Sequence, residues 1–201
     1  MSGAGGTGRR AVFLDRDGVV NEAVVRDGRP YPPGSPDDVV VVAGMPEACA
    51  RLRSAGFAVV VVTNQPDVAR GRQSAGAVAA INAAVRRQVE VDGLYACLHD
   101  DADGCGCRKP KPGMLVAGAA DLGLDLGRSF MVGDRWSDVA AGREAGCTTV
   151  YIDRGYEERR AEGYDHVAPD PVAAVDWIIG TSQGEEGGRV RSSSLRHQGL
   201  R

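Results

Sequence analysis

The chain has 201 residues with a formal charge of −3, 43% hydrophobic, 25% charged and 5% aromatic, a composition that suits one globular domain with a full core. The acidic balance argues against a nucleic-acid protein held by a basic surface. The apolar runs are strand-length and too short to span a membrane, and the Gly-rich residues 1–10 lack the apolar core of a signal peptide. Together these predict a cytoplasmic protein with neither nucleic acid nor membrane as partner.

The first predicted element is a buried strand, Ala11-Val12-Phe13-Leu14, running into Asp15-Arg16-Asp17-Gly18. Ligands of open α/β sheets bind off the carboxyl ends of strands, which is where Asp15 and Asp17 fall. Two carboxylates so close repel, so a cation or a shared proton must stabilise them. Mg²⁺, which combines carboxylates with substrate phosphate, meets that need, as opposed to an ordinary Asp-rich turn. Residues 19–43 read as an irregular excursion punctuated by Asp27-Gly28, Pro30, Pro32-Pro33-Gly34 and Ser35-Pro36. A loop of this length beside the Asp pair is expected to shape substrate access, with 39–42 as a short extended segment.

A short amphipathic helix over 46–55 closes at Gly56. Residues 57–62 form a β-branched strand, apolar on both faces, that ends in Thr63-Asn64-Gln65. A hydroxyl and amides there can bond an oxyanion or simply cap the next helix. That helix spans 74–91, with Val78, Ile81, Val85 and Val89 on one face. A third strand over 94–98 runs into Cys97, His99, Cys105 and Cys107. Three thiols and an imidazole in eleven residues form a Cys₃His set, suited to a closed tetrahedral Zn²⁺ site that holds a loop. A disulfide or a chance cluster are the alternatives. Cys49 and Cys147 read as small buried hydrophobes.

Of 24 basic residues only two are lysines, Lys109 and Lys111, both in Arg108-Lys109-Pro110-Lys111-Pro112. A compact ammonium is chemically distinct from a guanidinium where a phosphate must be met. A helix over 114–122 follows, then a strand over 129–132 and Gly133-Asp134-Arg135-Trp136-Ser137-Asp138, which repeats the opening logic of apolar strand, glycine and carboxylates. Asp138 lines or caps a helix over 139–145. A fifth strand (148–152), a last strand at His166-Val167 with His166 structural, and a helix over 172–179 complete the domain. Boundaries are expected at 1–10 for a flexible N-terminus, 11–180 for the domain and 181–201 for a polar, disordered tail.

Asp15-Arg16-Asp17-Gly18-Val19, Val62-Thr63-Asn64, Lys109, and Gly133-Asp134 through Asp138 resemble the four motifs of the haloacid dehalogenase (HAD) superfamily of phosphatases. The likeness spans residues 12–153. The Cys-x-His…Cys-x-Cys-Arg-Lys-Pro insertion resembles the subgroup that holds heptose-bisphosphate and histidinol-phosphate phosphatases. Pro-Gly-Met after the basic segment is more similar to the heptose branch. The resemblance implies a three-layer α/β/α Rossmann-like fold with a mainly parallel sheet, no large cap domain and a zinc-bound loop. It also implies a small phosphorylated sugar as substrate.

Carried onto this sequence, the resemblance makes Asp15 the nucleophile and Asp17 the acid–base group, with Thr63 and Lys109 around the phosphoryl oxygens. Mg²⁺ would lie on Asp15, the backbone carbonyl of Asp17 and Asp134, with Asp138 as an additional ligand or its supporting partner. Asn21, Asn64, Gln65, Arg108 and Arg135 would meet substrate. The sequence departs from the common pattern at Gln65-Pro66-Asp67, where Pro66 removes a backbone donor, and at Arg135, where lysine is also common. A noncatalytic module of the same fold is disfavoured by the presence of both Asp15 and Asp17. A polynucleotide 3′-phosphatase is disfavoured by the absence of a basic surface.

Overall fold

The structure, a computed structural model, describes residues 8–194, with side chains described through residue 183. Six parallel strands form the central sheet: β1 (Ala11–Leu14), β4 (Ala58–Asn64), β5 (Gly93–Cys97), β6 (Phe130–Gly133), β7 (Thr148–Ile152) and β8 (His166–Ala168). Their spatial order is β5-β4-β1-β6-β7-β8. The chain runs outward from β1 through β4 to β5, then returns to place β6 on the opposite flank of β1. The carboxyl end of β1 therefore lies at the point where the strand order reverses, the crevice where open α/β sheets bind ligands.

Alternation along the strands builds two cores. Val12 and Leu14 of β1 with Val59 and Val61 of β4 face a cluster that includes Leu52 of α1 (Met45–Ser54), Ile81 of α2 (Ala75–Gln88) and Ile178 of α5 (Pro171–Ser194). Ala11 and Phe13 with Ala58, Val60 and Val62 face Leu115 of α3 (Gly113–Leu122) and Ala141 of α4 (Trp136–Glu144). The result is the expected three-layer α/β/α arrangement. No helix among the described residues is long and apolar enough to cross a membrane.

Several elements differ from the sequence reading. Residues 19–43 hold an antiparallel hairpin, β2 (Val24–Arg26) and β3 (Arg29–Tyr31). Its two-residue turn places Asp27 and Gly28 at φ 48° and 67°, the left-handed pair of a tight hairpin turn. Residues 39–42 are not a strand; Val41 makes a single bridge to Asn21. β4 continues through Thr63 and Asn64, which pair with Ala96 and Cys97 of β5. α4 starts at Trp136 because the Asp138 carboxylate accepts from the Arg135 backbone N–H at 3.0 Å and caps the turn. α5 extends beyond Gly180, where the sequence reading ends the domain, and Ser182 is buried in it. The expectations for residues 1–7 and for the tail beyond 194 lie outside the described residues.

Candidate active site

Asp15 still belongs to the sheet ladder, its N–H donating to Val132 O at 3.0 Å. Gly18 then turns the chain at φ +91°, and a Cβ there would sit 1.8 Å from Asp134 Oδ2. Only glycine allows the post-β1 turn to approach the carboxylate that follows β6 so closely. This approach gathers ligand atoms of Asp15, Asp134 and Asp138, all buried, within 4.8 Å of one another.

Lys109 Nζ lies among these carboxylates, 2.6 Å from Asp15 Oδ1 and 2.7 Å from Asp138 Oδ1, and donates to Val62 O at 2.8 Å. Its backbone is clamped by Asn64, whose Oδ1 accepts from Lys109 N at 3.0 Å and whose Nδ2 donates to Lys109 O at 2.9 Å. Burial opposes the Lys109 charge, but Asp138 and Asp15 outweigh it and hold the ammonium above its ordinary range. One cation among three carboxylates leaves an excess of negative charge. Burial, opposed by Lys109 and reinforced by Asp138 and Asp17, raises the Asp15 carboxyl from 3.8 to about 6. Burial, then Asp15 and Asp138, push the Asp134 carboxyl well above its ordinary value.

Asp134 Oδ2 accepts from the Tyr156 hydroxyl at 2.8 Å, whereas its Oδ1 is buried without a hydrogen-bond partner. An orphaned carboxylate oxygen beside two further carboxylates fits a hard divalent cation. The Asp17 carboxylate is turned toward Arg16, Asn21 and Gln65 and stands outside this carboxylate cluster.

A cavity of about 430 Å³ opens beside this cluster, lined by Asp15, Asp17, Thr63, Asn64, Gln65, Arg108, Lys109, Arg135 and Asp138 among the predicted residues, while Asp134 does not line it. Gln65 Nε2 bridges Thr63 Oγ1 at 2.8 Å and Asp17 Oδ2 at 2.9 Å. Asn21 is fully buried, donates to Asp17 Oδ1 at 3.0 Å and does not line the cavity. Asn21 and the Asn64 side chain therefore support the residues beside them, Asp17 and Lys109. Arg108 pairs with Asp101 at 2.7 Å but keeps a buried Nη1 without a partner. Arg135 gives both arms to Glu158, at 2.7 and 2.5 Å. Burial opposes its charge, and the Glu158 contact overrides this to hold the guanidinium above its ordinary range.

Sequence reasoning passed over several residues of this site. Arg16 lies inside the first motif but between its two aspartates, with no role assigned to it, and Tyr156 and Glu158 carry no motif signal because they lie in the segment after β7. The hairpin contributes Arg29, Pro30, Tyr31 and Pro32 to the cavity wall. Asp27-Gly28 was the available signal for it. Its tip is held by Glu157 N donating to Gly28 O at 2.8 Å.

The second cluster combines Cys97, His99, Cys105 and Cys107. Five of its six S···S and S···N separations run from 3.3 to 3.7 Å, and all four donor atoms lie within 4.8 Å of one another. A tetrahedron with Zn–S near 2.3 Å and Zn–N near 2.0 Å has S···S edges of about 3.8 Å and S···N edges of about 3.5 Å, so the donor set, with those five separations within about 0.5 Å of these edges, suits Zn²⁺. All five cysteines are free. The thiols are unlike one another: burial raises Cys97 to about 12, while desolvation of Cys105 is outweighed by hydrogen bonds from the Arg108 backbone and the Cys107 thiol and backbone, which lower it to about 7. Lys111 Nζ donates to Gly104 O and Cys105 O at 3.0 and 2.7 Å, tying the basic segment to the same loop. His166 stacks on Trp177 with centroids 4.1 Å apart, in keeping with a structural residue.

Residues 106–175 match the family model described as HAD-hydrolase-like. The chain is 35% identical over 193 residues to the D-glycero-D-manno-heptose-1,7-bisphosphate 7-phosphatase of Thermosynechococcus vestitus, covering 85% of this chain and 95% of that protein. It is 34% identical to the D-glycero-beta-D-manno-heptose-1,7-bisphosphate 7-phosphatase of Yersinia pestis, covering 84% and 89%. Among solved structures it is similar to the D,D-heptose 1,7-bisphosphate phosphatase of B. bronchiseptica complexed with magnesium and phosphate. There the TM-score is 0.73 and the identity 33%, with 86% of this chain and 99% of that chain covered.

Proposed function

Because the chain belongs to the HAD-like hydrolase family, we propose that it is a Mg²⁺-dependent phosphatase that removes the 7-phosphate of D-glycero-D-manno-heptose 1,7-bisphosphate. The observation that carries the chemistry is the convergence of Asp15, Thr63 and Lys109 on one cavity, with Asp134 and Asp138 beside them. The substrate rests on relatives at 34–35% identity that are named for this reaction. A cavity wall carrying five arginines, Arg29, Arg70, Arg72, Arg108 and Arg135, suits a substrate with two phosphates.

In this reading Asp15 attacks phosphorus and forms an aspartyl-phosphate, dividing one hard displacement into two. Asp17 protonates the departing sugar oxygen and later takes a proton from the water that hydrolyses the intermediate. Lys109 and the Thr63 hydroxyl surround the phosphoryl oxygens and stabilise the charge that develops on them. Gln65, already donating to Thr63 Oγ1, leaves the hydroxyl proton available for a phosphoryl oxygen. Arg108, with a free N–H, and Arg135 would meet the second phosphate. Asp15, Asp134 and the backbone carbonyl of Asp17, with Asp138 as an additional ligand, would hold Mg²⁺, which offsets the repulsion between the nucleophile and the phosphoryl group.

Cys97, His99, Cys105 and Cys107 would hold Zn²⁺ and so fix the loop that carries Arg108 and Lys109. Phosphate release with Mg²⁺ from both anomers of heptose 1,7-bisphosphate and from histidinol phosphate tests the assignment. Preference for one heptose anomer is expected, and preference for histidinol phosphate would overturn it.

A further inference from the structure

Arg16 heads the largest side chains with no solvent exposure among the described residues. A buried guanidinium is costly unless paired on most of its N–H groups. Here Nε and Nη2 donate to the two oxygens of Asp17 at 3.1 and 2.9 Å, and Nη1 donates to Asn82 Oδ1 of α2 at 2.6 Å. Asp17 accepts two further bonds, from Asn21 Nδ2 on Oδ1 at 3.0 Å and from Gln65 Nε2 on Oδ2 at 2.9 Å. Each oxygen thus accepts from two N–H donors, one of them on the Arg16 fork. Of these three donor residues, only Gln65 lines the cavity.

We infer that Arg16 is a positioning residue whose fork, anchored to α2 through Asn82, fixes the Asp17 carboxylate so that Oδ2, on the Gln65 side, exchanges the proton of the reaction. The inference rests on the reading of Asp17 as the acid–base group. When the Asp15–phosphorus bond forms and the bond from phosphorus to the sugar oxygen breaks, the proton on Asp17 Oδ2 passes to that oxygen. When water attacks phosphorus and the Asp15–phosphorus bond breaks, a water proton returns to Oδ2, displacing Gln65 from it. Arg16 itself touches neither substrate nor phosphate. Lysine in its place keeps the charge but offers a point contact with no planar fork.

The test is single-turnover release of the leaving group by the Mg²⁺-loaded protein, from the heptose bisphosphate and from p-nitrophenyl phosphate, whose stable phenolate needs no proton. Arg16→Lys should slow sugar release about tenfold or more, part of the 10²–10⁴ a general acid contributes. Nitrophenolate release should stay within about threefold and substrate affinity within about twofold. Equal slowing of both leaving groups, or of neither, overturns the inference. If Arg16→Lys fails to fold, Asn82→Ala, which removes the anchor but no contact of Asp17, should slow sugar release selectively by about threefold. Asp17→Asn serves as the reference. If it discriminates between the leaving groups and the Arg16 and Asn82 variants do not, the Arg16 inference alone falls. If Asp17→Asn does not discriminate, the acid–base reading of Asp17 falls and the inference with it.

Discussion

Replacing Lys109 by methionine keeps the length of the side chain and deletes the cation shared by Asp15 and Asp138 at 2.6 and 2.7 Å. Lys109 is 3% exposed and Asp138 1%, so water cannot take over the lost contact. Removing one partner of a buried ion pair costs about 3–5 kcal/mol. At roughly 2–4 °C per kcal/mol for a chain of this size, the melting temperature should fall by about 6–20 °C in Mg²⁺-free buffer.

The loss has a pH dependence with a definite sign. Asp15 titrates near 6 when folded against an ordinary 3.8, so it holds its proton more tightly in the native state. Its ionisation therefore removes stability as pH rises from about 4 through about 6. Without the ammonium that penalty grows, so the wild-type-to-variant gap should be widest at pH 8. At pH 5, below the Asp15 value of about 6, it should shrink. Calorimetric melts of both proteins at the two pH values read this directly. A gap of equal size at pH 5 and pH 8 would refute the carboxylate-cluster reasoning.

Gly18→Ala brings a Cβ to 1.8 Å from Asp134 Oδ2 at a φ of +91°, and titration calorimetry should show Mg²⁺ affinity falling by more than tenfold while the far-UV spectrum stays native. Tyr156→Phe removes the hydroxyl on Asp134 Oδ2 and should weaken Mg²⁺ by about tenfold, the scale of lost support to a metal ligand. With Asp15 and Asp134 as the proposed Mg²⁺ ligands, binding displaces their protons, so apparent affinity should fall as pH drops through 6, with proton release detectable in buffers of different ionisation enthalpy. Cys105→Ser should lower zinc content by elemental analysis and loosen the 105–111 segment by hydrogen exchange. Full zinc occupancy with unchanged exchange would argue against a metal-held loop.

The parts of this molecule legible in the sequence are those written as contiguous pattern. Apolar runs at 11–14 and 57–62 mark strands because strands buried on both faces need nothing but apolar residues. The polar residues at their carboxyl ends, Asp15 after the first and Thr63-Asn64 after the second, follow from chain direction alone. The Cys₃His set is legible because its four ligands sit within eleven residues. What escaped depends on distant partners. Arg16 lies within the first motif with no role assigned to it, and its part depends on Asn82, 66 residues away. Tyr156 reaches Asp134 only because the segment after β7 folds back over β6. Asn64 stands where a phosphate-binding amide is expected, yet its side chain is committed to the Lys109 backbone 45 residues on. The hairpin at 24–31 was obscured because its strands are exposed and lack apolar alternation.

In the proposed mechanism Asp15 carries the phosphoryl group during turnover. Rapid acid quench of the Mg²⁺-loaded protein with heptose 1,7-bisphosphate, followed by mass mapping of peptides, tests it most directly. A phosphate on the peptide containing Asp15, absent in Asp15→Asn together with activity, is the predicted result. Undiminished phosphate release by Asp15→Asn, or an adduct on another residue, would contradict it.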